Sequence, residues 1–265
     1  MPLSNDSFDA VTEMFHRVSG IRLTPAKRSL VEGRLLKLAR ERGLSDINDY
    51  VRVLLDEGDS GEQTRAVDKL TTNETYFFRE PQHFQHLEAW LRGEGKRHQP
   101  LKVWSAASSS GEEAYSLAML LADIGEGGSW DIVGTDLSTA VLEQARRAVY
   151  PLARATNLPP AYLKRWCLRG RGSNEGMFQI GRELRQRVRF SQVNLMRPLP
   201  DLGPFDVIFL RNVLIYFDNA GKADIVTRVL SRLAPHGRLY TGHAESIANL
   251  GLPVRSIAPA VYVHA

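Results

Sequence analysis

Val103-Trp104-Ser105-Ala106-Ala107-Ser108-Ser109-Ser110-Gly111-Glu112-Glu113 reads as a short apolar strand, a loop of small residues, and a helix beginning near Gly111. In open α/β sheets such a turn brings bare backbone against a nucleotide-like ligand. The usual three spaced glycines are replaced here by Ala106, Ala107 and the three serines. Downstream, Asp131-Ile132-Val133-Gly134-Thr135-Asp136 is a strand ending on an acid, with a helix from Ser138. Asp136 follows the loop at about the spacing from which a strand-end carboxylate grips ribose hydroxyls.

Strands are predicted at 101–107, 131–136, 188–194, 205–212 and 237–243, with helices at 111–124, 138–148 and 219–234. That alternation specifies a mostly parallel sheet covered on both faces. A last strand is expected at 260–264, paired with 254–257. Between Asn194 and Phe205 the chain is too short for a crossover helix, which takes about a dozen residues. That connection must be an extended loop, or one strand assignment fails.

Upstream, the pattern is helical. Ser7 is expected to cap a helix carrying Phe8, Val11, Phe15 and Val18, stopped by Gly20. Thr24-Pro25 opens a second, from Pro25 to Arg42, because proline lacks only a donor that would be orphaned there anyway. Ser45 is expected to cap a third and Gly61–Leu70 to form a fourth, making a small bundle. On the second helix Val31, Leu35 and Leu38 share one face. Lys37 and Arg40 lie opposite, with Arg34 on the shoulder. That basic face is either a solvated surface or a dock for an acidic helical partner.

Thr71-Thr72-Asn73-Glu74-Thr75-Tyr76-Phe77-Phe78-Arg79-Glu80-Pro81 crowds polar, aromatic and cationic residues without a period, as binding loops do. Pro81 opens another amphipathic helix, through Gly93. Residues 150–187 break the α/β alternation. Trp166-Cys167-Leu168 and Met177-Phe178-Gln179-Ile180 flank the Gly-rich stretch 168–176 and read as a hairpin. This small antiparallel insert is either a structural lid or an edge that accepts an extended peptide.

Composition narrows the class. Hydrophobic content of 43% and charged content of 24% are ordinary globular values, so a packed core is expected. No apolar run approaches the ~18–20 residues of a membrane span, and the amino terminus lacks a signal-peptide layout. One cysteine, Cys167, rules out an internal disulfide. A cytoplasmic chain is expected, and its net charge of +4 permits an acidic partner without arguing for nucleic acid. His83 and His86 are spaced HxxH but lack further ligands in sequence, so they are expected at the surface of their helix and no metal is expected.

With these pieces placed, the chain resembles the CheR family of chemoreceptor glutamate methyltransferases. The resemblance rests on Thr71–Glu80, on Trp104–Ala107 with Gly111–Ser116, on Val193-Asn194-Leu195, on Gly203–Asp218, and on Gly242-His243-Ala244-Glu245-Ser246, in that order. It implies an α/β fold of the class I S-adenosylmethionine (SAM) dependent kind, Rossmann-like and seven-stranded with its last strand antiparallel. A small β insert and an N-terminal all-α domain come with it. The expected division is 1–70 helical domain, 71–93 linker and donor-binding motif, and 94–265 methyltransferase domain, with the insert at about 158–187.

The same resemblance implies SAM as methyl donor, S-adenosylhomocysteine (SAH) as product, and receptor glutamate carboxylates as acceptors. It places Asn73, Thr75, Arg79, Glu112, Asp136, Asn194, Leu195, Arg211 and Asn212 at the donor. It implies a chemoreceptor cytoplasmic helical bundle as partner, and the basic face of the second helix, Arg34, Lys37 and Arg40, is the surface expected to meet it. A receptor carboxyl-terminal pentapeptide would dock on the insert around Arg169, Gly170 and Gly172. A monomer is expected, with no nucleic acid and no membrane insertion.

A glutamate side chain has a pKa near ~4.3, so the nucleophile is already ionised at neutral pH and needs no general base. The enzyme must supply alignment. Arg79 is the cation best placed by sequence to orient a carboxylate, of donor or acceptor. Tyr216, after an apolar strand, either reaches the reacting centre or packs at the core edge. Two other readings stay open: a non-catalytic SAM-sensing adaptor, and a methyltransferase with a nucleic-acid acceptor.

Overall fold

The computed structural model describes residues 1–56, 60–93, 100–125 and 129–265. The chain opens with four helices, α1 (Asn5–Ser19), α2 (Arg28–Glu41), α3 (Ile47–Leu55) and α4 (Ser60–Leu70). They bury Val11, Phe15, Leu35, Leu38, Tyr50 and Leu54 in a core of their own. Two expected caps shift by short steps. Ser4, not Ser7, caps α1, and the Ser7 N–H donates to the Ser4 hydroxyl at 3.1 Å. Asp46, not Ser45, caps α3 and accepts from the Asn48 N–H at 2.9 Å. Serine and aspartate serve equally as caps, so extended backbone before the first turn decides between neighbours. Pro25–Lys27 forms a separate 3-10 turn ahead of α2.

Helix α5 (Pro81–Gly93) follows the loop, then β1 (Leu101–Ala106), α6 (Glu112–Ile124), β2 (Trp130–Asp136) and α7 (Thr139–Arg147). The insert comprises β3 (Val149–Pro151), α8 (Pro160–Trp166), β4 (Cys167–Arg169), β5 (Met177–Ile180) and α9 (Arg182–Arg185). The chain returns through β6 (Val188–Gln192), β7 (Phe205–Leu210), α10 (Asn219–Leu230), β8 (Leu233–Thr241), β9 (Val254–Ala258) and β10 (Val261–His264).

The main sheet has seven strands in the order β6-β2-β1-β7-β8-β10-β9, with β10 antiparallel to both neighbours. Strand order reverses at β1, which pairs with β2 on one side and β7 on the other. The carboxyl ends of those strands border the crevice where open α/β sheets bind ligands. Hydrophobic clusters cover both sheet faces. One gathers α5, α6 and the insert around Val103 and Phe209; the other gathers α10 around Trp104, Ile208 and Leu239. Helix α5 therefore belongs to the sheet's core. The boundary expected at residue 94 lies outside the described residues.

The β6–β7 connection is an extended loop, and both flanking strands stand. It buries Val193 and Leu195, and the carbonyls of Leu195 and Leu199 accept from Arg228 and Arg232 at 3.3 Å each. The insert is a three-stranded antiparallel sheet in the order β3-β5-β4. Its third strand, β3, begins upstream of the expected insert and was hidden by the proline that ends it.

Polar contacts join the helical domain to the sheet. The Thr139 N–H and hydroxyl donate to Asp68 at 2.8 and 2.7 Å, and the Asn194 amide donates to the Val18 carbonyl at 2.7 Å. Gly20 closes against Met196 so tightly that an added Cβ would sit 2.5 Å from its Cγ. No helix among the described residues is long and apolar enough to cross a membrane.

Candidate active site

The loop after β1 turns through left-handed backbone at Ala107, Ser109 and Gly111. Gly111 must be glycine, since a Cβ there would meet Ala145 at 2.9 Å. This turn aims the Ser109 N–H at Asp136 Oδ2, 2.9 Å away, while the Ser138 N–H donates to Oδ1 at the same distance. Burial raises the Asp136 pKa, and the N–H donors at Ser138, Ser109 and Leu137 oppose the shift. The result is a fixed carboxylate at the end of β2.

The 71–79 loop is stitched over this turn. The Ser109 hydroxyl donates to the Asn73 carbonyl at 2.8 Å, and the Phe78 N–H donates to the Ser116 hydroxyl at 3.0 Å. Arg79 donates to the Glu74 carbonyl at 2.9 Å and lies over the Tyr76 ring. Asn73, Thr75 and Arg79 thereby enter one pocket with Asp136. Asn194 and Leu195 supply another wall, and Arg211, Asn212 and Tyr216 come from the end of β7. Val193, of the motif already quoted, joins them, and so do Ser19 and Ile21 of the helical domain and Leu137, none of which three stood out in sequence.

Glu112 does not join them. It is wholly buried, accepts from Arg154 at 2.8 Å and from the Ser110 hydroxyl at 2.6 Å, and burial raises its pKa against those partners. Its neighbour Glu113 lines the pocket instead. Consecutive helical side chains point about 100° apart, so in an acidic pair one faces the pocket and the other the insert. Glu113 accepts from Ser105 at 2.7 Å and from Arg211 at 3.0 Å.

Arg211 borders the pocket but is already engaged. Its guanidinium lies between Glu113 and Glu80, 3.0 and 3.1 Å away, and also donates to the Arg79 carbonyl. Asn212 adopts a left-handed conformation, φ 57°. Its side-chain amide donates to Glu80 at 3.2 Å and its N–H donates to Glu245 at 2.5 Å. Glu245, 3% exposed, also accepts the N–H groups of Gly242 at 2.8 Å and Ile215 at 3.2 Å. Tyr216 follows that turn, and burial raises its pKa, so its hydroxyl is protonated at neutral pH.

The histidine pair departs from expectation. His83 is buried rather than superficial, because it faces the Phe209 and Tyr240 rings, and His86 accepts or donates a bond to the Tyr240 hydroxyl at 3.0 Å.

On α2 the three cations separate. Lys37 and Arg40 are exposed, whereas half-buried Arg34 donates to the carbonyls of Leu70 and Thr71 at 2.8 and 3.0 Å. A shoulder position meets the next helix before it meets solvent. In the insert, β4 pairs only with β5 among the described residues, and its exposed edge carries Arg169 and the 59%-exposed Leu168. Gly170 closes the following turn, where a Cβ would overlap the Asn174 carbonyl, and exposed Gly172 is left-handed.

Residues 73–259 match the family model described as CheR methyltransferase, SAM binding domain, and residues 6–71 match CheR methyltransferase, all-alpha domain. A chemotaxis protein methyltransferase of Salmonella typhimurium is 41% identical over 94% of this chain and 87% of its own length. Chemotaxis protein methyltransferase 2 of Pseudomonas aeruginosa is 40% identical over 98% of this chain and 93% of its own. A chemotaxis protein methyltransferase of Escherichia coli is 40% identical over 94% and 87%.

Proposed function

The chain belongs to the CheR family of SAM-dependent methyltransferases, and from that premise we propose that it esterifies glutamate side chains of chemoreceptors in the pocket between its helical domain and sheet. The observation that carries this reading is the shared pocket. The buried Asp136 carboxylate, suited to a ribose diol, faces the same space as Asn73, Arg79 and Tyr216.

The residues fit such a donor. Leu137, Val193 and Leu195 offer apolar surface for an adenine ring beside Asp136, while Asn73, Thr75 and Arg79 offer polar partners for an amino-acid end. Bound SAM supplies a methyl group on a positively charged sulfur and leaves as SAH. The protein's part is to hold a carboxylate in line with that methyl. A glutamate side chain arrives ionised at neutral pH, so no side chain has to accept a proton. Arg79 and the neutral Tyr216 hydroxyl, close enough to influence each other electrostatically, hold the acceptor oxygen through charge-assisted hydrogen bonds. Arg211 acts behind them, fixing the Arg79 carbonyl.

The acceptor helix is met by Lys37 and Arg40, and the open edge of β4 receives a receptor's carboxyl-terminal peptide as an added strand. The chain acts as a cytoplasmic monomer. Transfer of radiolabelled methyl from SAM to chemoreceptor cytoplasmic domains, with and without their terminal peptide, tests this. Label released as methanol by mild base identifies a carboxyl ester. SAM binding without labelled receptor overturns the acceptor assignment, and equal labelling without the peptide removes the role of β4.

A further inference from the structure

His83 is 1% exposed, yet neither ring nitrogen has a hydrogen-bond partner among the described residues. Buried polar atoms are normally satisfied, so this orphan calls for an occupant. Its Nδ1 lies 3.4 Å from Glu80 Oε2, and Nδ1 of His243, from the turn after β8, lies 3.7 Å from the same oxygen. The imidazole centroids are 4.5 Å apart, and the three candidate ligand atoms lie within 4.8 Å of one another. Bonds of about 2.0–2.2 Å to a tetrahedral ion set neighbouring ligand atoms roughly 3.3–3.6 Å apart. His243 is 40% exposed, which leaves solvent access for a fourth ligand.

We propose that Glu80, His83 and His243 form a binding site for a late first-row divalent ion, Zn2+ above all, whose occupation weakens the donor pocket. Two imidazoles with one carboxylate suit zinc and its neighbours rather than magnesium or calcium. The sequence shows His83 only in an HxxH spacing with His86 that lacks further ligands, and no metal is expected from it; the fold brings His243 and Glu80 to His83 instead. Glu80 is not idle, however. It accepts from Arg211 at 3.1 Å, the Asn212 amide at 3.2 Å and the His243 N–H at 3.3 Å. An ion therefore competes for that carboxylate, and the guanidinium charge keeps its affinity modest. Arg211 and Asn212 line the pocket, so drawing Glu80 away loosens one wall. This coupling, unlike the ion site itself, rests on the donor reading above.

Chelator-stripped full-length protein titrated calorimetrically with zinc chloride, with SAH affinity measured before and after, tests both parts. One equivalent of zinc should bind the wild type, and zinc saturation should weaken SAH binding several-fold. His243→Ala and the milder His243→Asn, both at the exposed rim, should lower zinc affinity at least tenfold and leave SAH binding insensitive to zinc. No saturable equivalent, equal zinc affinity in both variants, or SAH affinity untouched by bound zinc would each overturn the proposal. Stripped wild type that binds no SAH counts against the donor reading, and the zinc isotherms then decide the ion site alone.

Discussion

Glu245 holds Asn212 in left-handed backbone: one carboxylate oxygen accepts the Asn212 N–H at 2.5 Å and the Gly242 N–H at 2.8 Å. Asparagine tolerates that conformation better than most residues, but the clamp fixes it. Glu245→Ala strands the buried Gly242 N–H, a loss of about 1–3 kcal/mol, and removes the acceptor of the part-buried Asn212 and Ile215 N–H groups. The variant should melt several degrees lower and bind SAH more weakly. Glu245→Gln should recover part of both losses, since its one oxygen replaces only one side of the carboxylate. Unchanged melting and SAH affinity in both would free the turn from Glu245.

Asp136→Ala should weaken SAH binding at least tenfold, a loss of about 1.4 kcal/mol or more. Isothermal titration reads this directly, and unchanged affinity would remove Asp136 from ligand contact.

Tyr216→Phe deletes one hydroxyl at the pocket. If that hydroxyl orients the acceptor, kcat should fall about tenfold, while SAH affinity stays within about twofold. Equal kcat would return Tyr216 to the role of a wall.

Lys37→Glu with Arg40→Glu should slow receptor methylation several-fold at low salt, with smaller effect at high salt and unchanged SAM binding. Arg34→Ala should behave differently. It frees the carbonyls of Leu70 and Thr71, so the melting temperature should fall by a few degrees. Identical melting for Arg34→Ala would put Arg34 back among the docking charges.

Burial raises the pKa of Tyr50, Tyr115, Tyr150 and Tyr240. Unfolded tyrosine titrates near about 10, so above that pH the unfolded chain releases protons that the folded chain retains. Their contribution to stability is therefore fully present below about pH 10 and falls as pH rises, each such tyrosine adding up to about 1.4 kcal/mol per pH unit to the loss. Tyrosinate absorbance from these residues should appear together with the loss of circular dichroism. Their titration in folded protein would contradict the burial described.

Much of this was legible in sequence because it lies in local patterns. Asp136 ends an apolar strand, and Arg79 sits in an aperiodic loop. What escaped depends on chain segments meeting across the fold. Glu112 and Glu113 are indistinguishable in a sequence, and only the rotation of α6 against the sheet separates them. Glu245 stands within a quoted motif, yet its partners Asn212 and Ile215 come from another strand end. Ser19 and Ile21 carry no chemistry that would single them out; packing of the helical domain brings them to the pocket. The third strand of the insert, only three residues long, is below what alternation can reveal.

Because Ser19 and Ile21 wall the pocket and Val18, Gly20 and Asp68 grip the sheet, the helical domain cannot be exchanged like a cartridge. A chimera that takes a relative's helices to redirect receptor choice inherits part of a foreign pocket wall. Its seam near residue 71 divides a pocket, so the graft must carry matching partners at 137–139 and 193–196 as well.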